Sequence, residues 1–123
     1  MSAKTPEDLD RLFGERVNAG DVDGVVALYE PGATLITQGG PATGHASIRR
    51  FIETFVGMKP LIRMSVIKVV RGGDDLAAVY NDWQLTLTAE GERRASSGKA
   101  TEIVRRQGDG TWRYVIDDPN MRT

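Results

Sequence analysis

The second half of the chain constrains the fold most, because four long strand-like segments follow one another with very short turns between them. The segments are 61–71, 76–89, 92–107 and 111–118, and the turns are Gly72-Gly73-Asp74-Asp75, Glu90-Gly91 and Gly108-Asp109-Gly110. Connections this short join antiparallel neighbours. Strands this long twist and coil. The pattern therefore predicts a curved antiparallel sheet of four strands.

The first third of the chain is typical of a helix with a well-defined start. Thr5 can accept a hydrogen bond from a free N–H of the first turn, and Pro6 suits the first helical position. The apolar residues that follow recur at helical spacing: Leu9, Leu12, Phe13 and Val17. These features predict a helix that ends at Asn18-Ala19-Gly20, with one apolar face toward the core.

Two further helices and a short strand are predicted before residue 58. Asp21 caps a short helix with Val22, Val25, Val26 and Tyr29 on one face, and Glu30-Pro31-Gly32 ends it. Residues 33–37 are predicted as a strand and 38–44 as a loop. A third helix runs from Gly44 to Gly57, and its apolar residues are Ile48, Phe51, Ile52, Phe55 and Val56.

These elements predict one α+β domain over residues 1–123. Three N-terminal helices pack on one face of a strongly curved, mainly antiparallel sheet and form a cone with an open mouth. A length of 123 residues fits a single core. Clefts between a curved sheet and helices commonly bind small molecules.

Composition excludes several classes of function. With 16 Lys+Arg, 17 Asp+Glu and a net charge of -1, no basic field favours nucleic acid. One His and no Cys exclude a disulfide framework and a typical zinc site, so we expect no metal and no cofactor. No apolar run of about 18 residues predicts a membrane span, and no signal region opens the chain, so we expect a cytoplasmic location.

Three segments resemble one family: RVNAGDVDGVVALYEPGATL (16–35), GHASIRRF (44–51) and ATEIVRRQGDGTWRYVIDDP (100–119). They look like the SnoaL-like and ketosteroid-isomerase-like branch of the nuclear-transport-factor-2-like superfamily. The resemblance covers almost the whole chain and implies a conical, cystatin-like α+β fold, usually a homodimer through the sheet. The superfamily includes isomerases, polyketide cyclases, dehydratases, epoxide hydrolases and binding domains, so the fold alone assigns no reaction.

The ketosteroid-isomerase residues carry over only in part. The tyrosine that this mechanism needs on the first helix matches Phe13, and the general-base aspartate at the end of the first strand matches Thr37. A protonated acid on the third long strand matches Glu102. Since one of three roles is chemically preserved, we do not expect steroid-type isomerisation.

The alternation of strand residues selects the candidate site. We predict Glu102 and Asp117 as catalytic acid–base residues. The predicted ligand-binding residues are Phe13, Val17, Tyr29, Thr37, Phe51, Phe55, Asn81 and Trp83. The last strand has two possible phases: one turns Arg113, Val115 and Asp117 inward, and the other turns Trp112, Tyr114 and Ile116 inward.

Two interpretations of Glu102 stay open at this point. Burial among Phe13, Phe51, Phe55 and Trp83 would raise the pKa of its carboxyl, so that it could act as an acid or base near neutral pH. Alternatively, Glu102 pairs with Arg113 or Arg105 across the strands.

The sequence therefore predicts a protein that binds a small hydrophobic molecule in a hydrophobic cone pocket. It would act as a cofactor-independent acid–base enzyme: an isomerase, cyclase, lyase or hydrolase. The alternative is a non-catalytic ligand-binding or dimerisation module. Apolar residues on both faces of the last strands predict a homodimer through the sheet.

Overall fold

Three helices and six strands make up the described part of the chain. The computed structural model describes residues 2–122, and for residues 121 and 122 the backbone alone. The helices are α1 (Pro6–Asn18), α2 (Val22–Val26) and α3 (His45–Gly57). The strands are β1 (Tyr29–Thr37), β2 (Gly40–Thr43), β3 (Leu61–Arg71), β4 (Leu76–Ala89), β5 (Glu92–Arg106) and β6 (Trp112–Arg122).

The six strands form one curved, open sheet in the order β2-β1-β6-β5-β4-β3. The predicted antiparallel meander is confirmed, because β3, β4, β5 and β6 are antiparallel neighbours in chain order. β1 pairs with β6 in parallel and with β2 in antiparallel orientation. The fold is therefore the expected mixed α+β type, with helices on a curved sheet.

The first helix begins where the sequence predicts. The Thr5 side chain accepts a hydrogen bond from the Asp8 N–H at 3.3 Å, and Pro6 occupies the first turn. Its apolar stripe is buried against the sheet: Leu9, Leu12, Phe13 and Val17. None of the helices in the described part of the chain is long and apolar enough to cross a membrane.

Two predicted boundaries before α3 are wrong. The second helix ends at Val26, and Tyr29 instead starts β1, where it pairs with Tyr114 of β6. The predicted loop 38–44 contains β2, which forms a hairpin with β1 around Thr37. Local helical spacing does not report this long-range pairing. As a result the helices are not all N-terminal to the sheet, since the β1–β2 hairpin precedes α3.

A bulge in β6 decides which of its residues face the helices. Glu102 pairs with Asp117, but Val104 pairs with Tyr114, so β6 contains one extra residue within this stretch. An extra residue reverses the alternation of side chains between the two faces. Tyr114 and Asp117 are both buried in consequence, while Ile116 is 44% exposed. Each predicted phase therefore holds on one side of the bulge only.

The concave face also contains a very close contact between β4 and β5. Trp83 of β4 pairs with Gly98 of β5, and a Cβ on Gly98 would lie 2.6 Å from Cε2 of the indole. The Trp83 Nε1–H donates to the Pro119 carbonyl at 2.7 Å. The ring is thereby held flat against the Gly98 backbone, which fixes the register of β4, β5 and β6.

We expect Gly98→Ala to lower the free energy of unfolding by about 1–3 kcal/mol, because the new methyl forces the indole of Trp83 out of place. Chemical denaturation followed by Trp fluorescence measures this. Gly108→Ala is the matched control, since its Cβ would meet nothing within 4 Å. Equal stability of the two variants would show that the Trp83–Gly98 contact leaves room for a side chain at position 98.

Candidate functional site

Six polar side chains are buried together between α1 and the concave face of the sheet, and we call them the acid cluster. They are Asp10, Tyr29, Asn81, Glu102, Tyr114 and Asp117. Asp117 is the most exposed of the six, at 6%. Three carboxyl groups are therefore removed from water in one small region of a 123-residue protein.

The sheet register brings most of these groups together. Glu102 of β5 pairs with Asp117 of β6, and Tyr29 of β1 pairs with Tyr114 of β6. Asn81 lies on the neighbouring strand β4 and shares the inward face with Glu102. The remaining carboxyl, that of Asp10, enters from α1.

Asn81 and Tyr114 connect the helix to the sheet through Asp10. The Asn81 amide donates to Asp10 Oδ2 at 3.0 Å and to Glu102 Oε2 at 2.8 Å. The Tyr114 hydroxyl donates to Asp10 Oδ1 at 2.6 Å. One amide thus bridges two carboxyl groups, so Asp10 and Glu102 lie next to each other.

Tyr29 forms the second half of the cluster. Its hydroxyl donates to Asp117 Oδ2 at 2.6 Å. The rings of Tyr29 and Tyr114 pack with their centroids 5.0 Å apart, and Phe13 meets Tyr114 edge-on at 6.2 Å. The two tyrosine–carboxyl pairs are therefore parts of a single packed unit.

Burial makes the charged forms of Asp10 and Glu102 unfavourable. It is the main cause that raises the pKa of the Glu102 carboxyl well above its ordinary value, and the neighbouring Asp10 carboxyl raises it further. Burial likewise raises the pKa of Asp10, against the hydrogen bonds that it accepts. Two adjacent carboxyls of this kind resist being ionised together, so they can hold a proton in common.

Asp117 differs from this pair in its surroundings. Burial raises the pKa of Asp117 to about 7, although the hydrogen bond from Tyr29 opposes the shift. Burial also raises the pKa of Tyr29 and of Tyr114 well above the ordinary tyrosine value, so both hydroxyls stay protonated and act as donors. The cluster therefore contains groups that can give and take protons near neutral pH.

No basic side chain balances these carboxyls among the hydrogen bonds and ion pairs of the described residues. Arg105 pairs with Glu30 at 2.9 Å on the outside of the sheet. The alternative in which Glu102 forms a cross-strand ion pair is therefore wrong. Glu102 Oε1 accepts a hydrogen bond from none of the described residues, although Oε2 is engaged.

Four of the predicted site residues meet in the acid cluster: Tyr29, Asn81, Glu102 and Asp117. Phe13 and Val17 belong to the adjoining core. Asp10 adds a third carboxyl to the two acids that the sequence predicts, Glu102 and Asp117. The catalytic and ligand-binding roles of the predicted site residues stay predictions.

The structure places four predicted residues away from the cluster's hydrogen bonds. Thr37 lies in the β1–β2 turn, where its hydroxyl donates to the Gly40 carbonyl. Phe51 is 38% exposed and stacks on Phe55 along α3, so it does not turn inward as the helical stripe predicts. Trp83 packs on Gly98, as described above. The inner positions of α3 are taken by Ile48 and Ile52, both fully buried.

The sequence analysis missed Asp10 and left Tyr114 undecided. Asp10 precedes Phe13 and Val17 by three and seven residues, so an acid stands on the apolar stripe of α1. That position was a usable signal. Tyr114 could not be assigned, because the β6 bulge reverses the phase between it and Asp117.

An open groove between α1 and β3 reaches the acid cluster at one point, and we call it the α1–β3 groove. Its volume is about 310 Å³. The apolar side consists of Ile62, Met64 and Val66, and α1 contributes Asp10 and Gly14. A larger depression of about 670 Å³ over β3, β4 and β5 adjoins this groove at Asn18 and Ile62 and includes none of the cluster residues. Among residues 2–122, no three His, Asp or Glu side chains are arranged to hold a metal ion.

Comparison with known families agrees with this architecture. Residues 9–116 match the SnoaL-like domain. The chain belongs to the SnoaL-like family. A comparison with curated proteins gives no match.

Solved structures similar to this SnoaL-like protein share its fold at low sequence identity. A ketosteroid isomerase-like protein from Erwinia carotovora atroseptica is 18% identical, with a TM-score of 0.81, over 91% of this chain and 89% of the other. A nuclear transport factor 2-like superfamily protein from Salmonella enterica is 17% identical, with a TM-score of 0.80, over 94% and 89%. A putative calcium/calmodulin-dependent protein kinase type II association domain from Thiobacillus denitrificans is 22% identical, with a TM-score of 0.77, over 97% and 98%.

The raised pKa of Asp117 predicts that stability falls as pH rises. The folded protein binds this proton more tightly than the unfolded chain, so the contribution is complete below about pH 4 and is lost as pH rises through about 7. Between pH 5 and 8 we expect the free energy of unfolding to drop by at least about 1.4 kcal/mol, the equivalent of one pKa unit. Urea titrations at several pH values measure it.

Asp117→Asn removes the titrating group but keeps an acceptor for Tyr29, so its stability should depend less on pH than that of the wild type. Asp74→Asn, in the exposed turn before β4, is the control and should follow the wild-type curve. An Asp117→Asn variant with the full wild-type pH dependence would refute this assignment.

Proposed function

We propose that this protein binds a small hydrophobic molecule and moves protons to and from it without a cofactor, as an isomerase, cyclase, lyase or hydrolase. The observation that carries this proposal is the acid cluster: three buried carboxyls with raised pKa values and, among the ion pairs of the described residues, no basic partner. Glu102 and Asp117 are the proposed acid–base residues.

Stability does not account for such an arrangement. Buried ionisable groups cost several kcal/mol unless they are paired with opposite charges, and apolar residues of the same size do better. Groups of this kind with strongly shifted pKa values concentrate at functional sites. A chemical role therefore explains the residues of this cluster better than packing does.

The two halves of the cluster suit different steps. At neutral pH Asp117 is partly ionised, so it can accept a proton and return it. The Asp10–Glu102 pair holds a proton and can supply it as a general acid. Asn81 and the two tyrosines hold the carboxyl groups in place, because each of them donates a hydrogen bond to a particular carboxyl oxygen.

A non-catalytic ligand-binding protein is the second candidate. The closed state of the cluster favours it, because Glu102 is only 1% exposed and the aromatic rings pack directly on the polar groups. The two candidates differ in turnover. Both candidate functions would use the same protein interior and the same acidic residues.

A generic probe of proton abstraction separates the candidates without knowledge of the substrate. We expect 5-nitrobenzisoxazole, whose ring opens when a base removes its C–H proton, to react faster with the protein than with acetate at equal concentration. The rate should rise through about pH 7 as Asp117 ionises. Asp117→Asn should lower it by about 10²-fold or more.

Asp74→Asn serves again as the control and should keep the wild-type rate. A rate no higher than that of acetate, or one that Asp117→Asn and Glu102→Gln leave unchanged, would favour the non-catalytic candidate.

We further propose that two copies associate through the outer face of the sheet. That face carries apolar side chains open to solvent, among them Ile67 at 53%, Val70 at 44% and Ile116 at 44% exposure. Apolar side chains exposed on one face of a sheet can mark a protein contact.

Ile116→Lys should shift the protein from dimer to monomer in sedimentation or sizing experiments at micromolar concentration, because a buried lysine would lack a partner. Phe51→Lys, on the helical side, should leave the assembly unchanged. A wild-type protein that is monomeric, or an Ile116→Lys variant that stays dimeric, would argue against this interface.

A further inference from the structure

We propose that the ligand of this site carries a positively charged ammonium group, which enters through the α1–β3 groove and is bound by Asp10 and Glu102. This inference rests on the proposed function and specifies the chemical class of its ligand: a small amine with an apolar body.

The groove offers a surface for both parts of such a molecule. Ile62, Met64 and Val66 of β3 form an apolar floor, and Asp10 stands where the groove meets the acid cluster. A volume of about 310 Å³ is at the lower end of the range for small-molecule sites. A compact amine with one aromatic ring or a short alkyl chain is of suitable size.

The charges around the groove favour a cation. Glu7 and Glu15 lie on its α1 side, and Asp10 lies at its inner end. Arg11, the basic residue of this lining, is engaged by Asp8 at 3.3 Å and by Glu15 at 3.4 Å. The carboxylates of the groove, together with the negative charge that the cluster retains, attract ammonium groups and repel carboxylates and phosphates.

An unsatisfied acceptor in the cluster independently indicates a ligand that donates hydrogen bonds. Glu102 is 1% exposed, and its Oε1 accepts from none of the described residues. A buried acceptor without a donor costs about 1–3 kcal/mol. Each oxygen of Asp10 accepts one hydrogen bond, and a carboxylate oxygen can accept a second with its other lone pair. An ammonium group supplies three donors.

Other head groups leave part of this site unsatisfied. A hydrocarbon offers no donor to Glu102, and an anion adds to the repulsion among the carboxyls. A hydroxyl supplies a donor but does not balance the adjacent Asp10 and Glu102 groups. An ammonium group does both when it replaces the proton that Asp10 and Glu102 otherwise hold in common.

Gly14 keeps the groove open at its narrow side. It lies within α1, where glycine is less favourable than alanine by about 0.5–1 kcal/mol, and a Cβ there would meet nothing within 4 Å. The space above Gly14 is part of the groove itself. A larger side chain at this position would therefore fill the groove without straining the helix.

Three probes with the same apolar body test the proposal: 2-phenylethylammonium, 2-phenylethanol and 3-phenylpropanoate. Their binding at pH 7 is followed by the NMR shifts of the Ile62, Met64 and Val66 methyl groups. We expect the ammonium compound to bind at least tenfold more tightly than the other two. Asp10→Asn should remove this preference, and Glu53→Gln, exposed on α3, should retain it.

Gly14→Leu provides a second variant that does not touch the buried carboxyls, and it should weaken binding of the ammonium probe at least tenfold. Equal affinity for the three probes, or methyl shifts that Gly14→Leu leaves unchanged, would overturn the inference. Absence of shifts with every probe would overturn it as well. Since these measurements involve no turnover, a protein that opens 5-nitrobenzisoxazole but does not prefer the ammonium probe would lose this inference and keep the proposed function.

Discussion

Three buried carboxyl groups, none of them in an ion pair within the described part of the chain, are the constraint on which the interior of this protein depends. Each needs donors that are not charged, and the fold provides them from distant parts of the chain: the Tyr29 and Tyr114 hydroxyls and the Asn81 amide. The parallel pairing of β1 with β6 brings the two tyrosines side by side. The acid cluster thus accounts for features of the sheet that apolar packing alone does not require.

The bulge in β6 turns Tyr114 and Asp117 to the same face of the sheet. Without the extra residue, Tyr114 and Asp117 would face opposite sides of the sheet, since they are three positions apart. With it, one strand delivers both a donor for Asp10 and an acceptor for Tyr29. Bulges next to functional sites often re-aim a side chain in this way. Here the irregularity makes the double tyrosine–carboxyl arrangement possible.

Local patterns in the sequence were sufficient for most of the architecture. Turn residues set the ends of β3 and β4, and the Thr5-Pro6 start and apolar stripe located α1. The pairing of β1 with β6 was beyond such patterns, because Tyr29 continues the helical spacing of α2 yet starts a strand. Its environment is set by Tyr114, far away in the chain.

The site residues could be predicted where the strand side chains alternate regularly between the two faces of the sheet. Asn81 and Glu102 follow the period of two along β4 and β5 and were selected for that reason. Phe51 follows the helical stripe of α3 but remains partly exposed and stacks on Phe55. The clustering of Asp10 with Glu102 depends on how α1 crosses the sheet, which no local pattern encodes.

The protonation state of Glu102 is the central claim, and carbon-13 NMR of its side-chain carboxyl across a pH titration measures it most directly. Burial and the Asp10 carboxyl should hold the pKa of Glu102 well above its ordinary value, so the carboxyl signal should remain that of the protonated acid at pH values where glutamate is ordinarily ionised. A carboxyl that titrates near the ordinary glutamate value of about 4.3 would contradict the account.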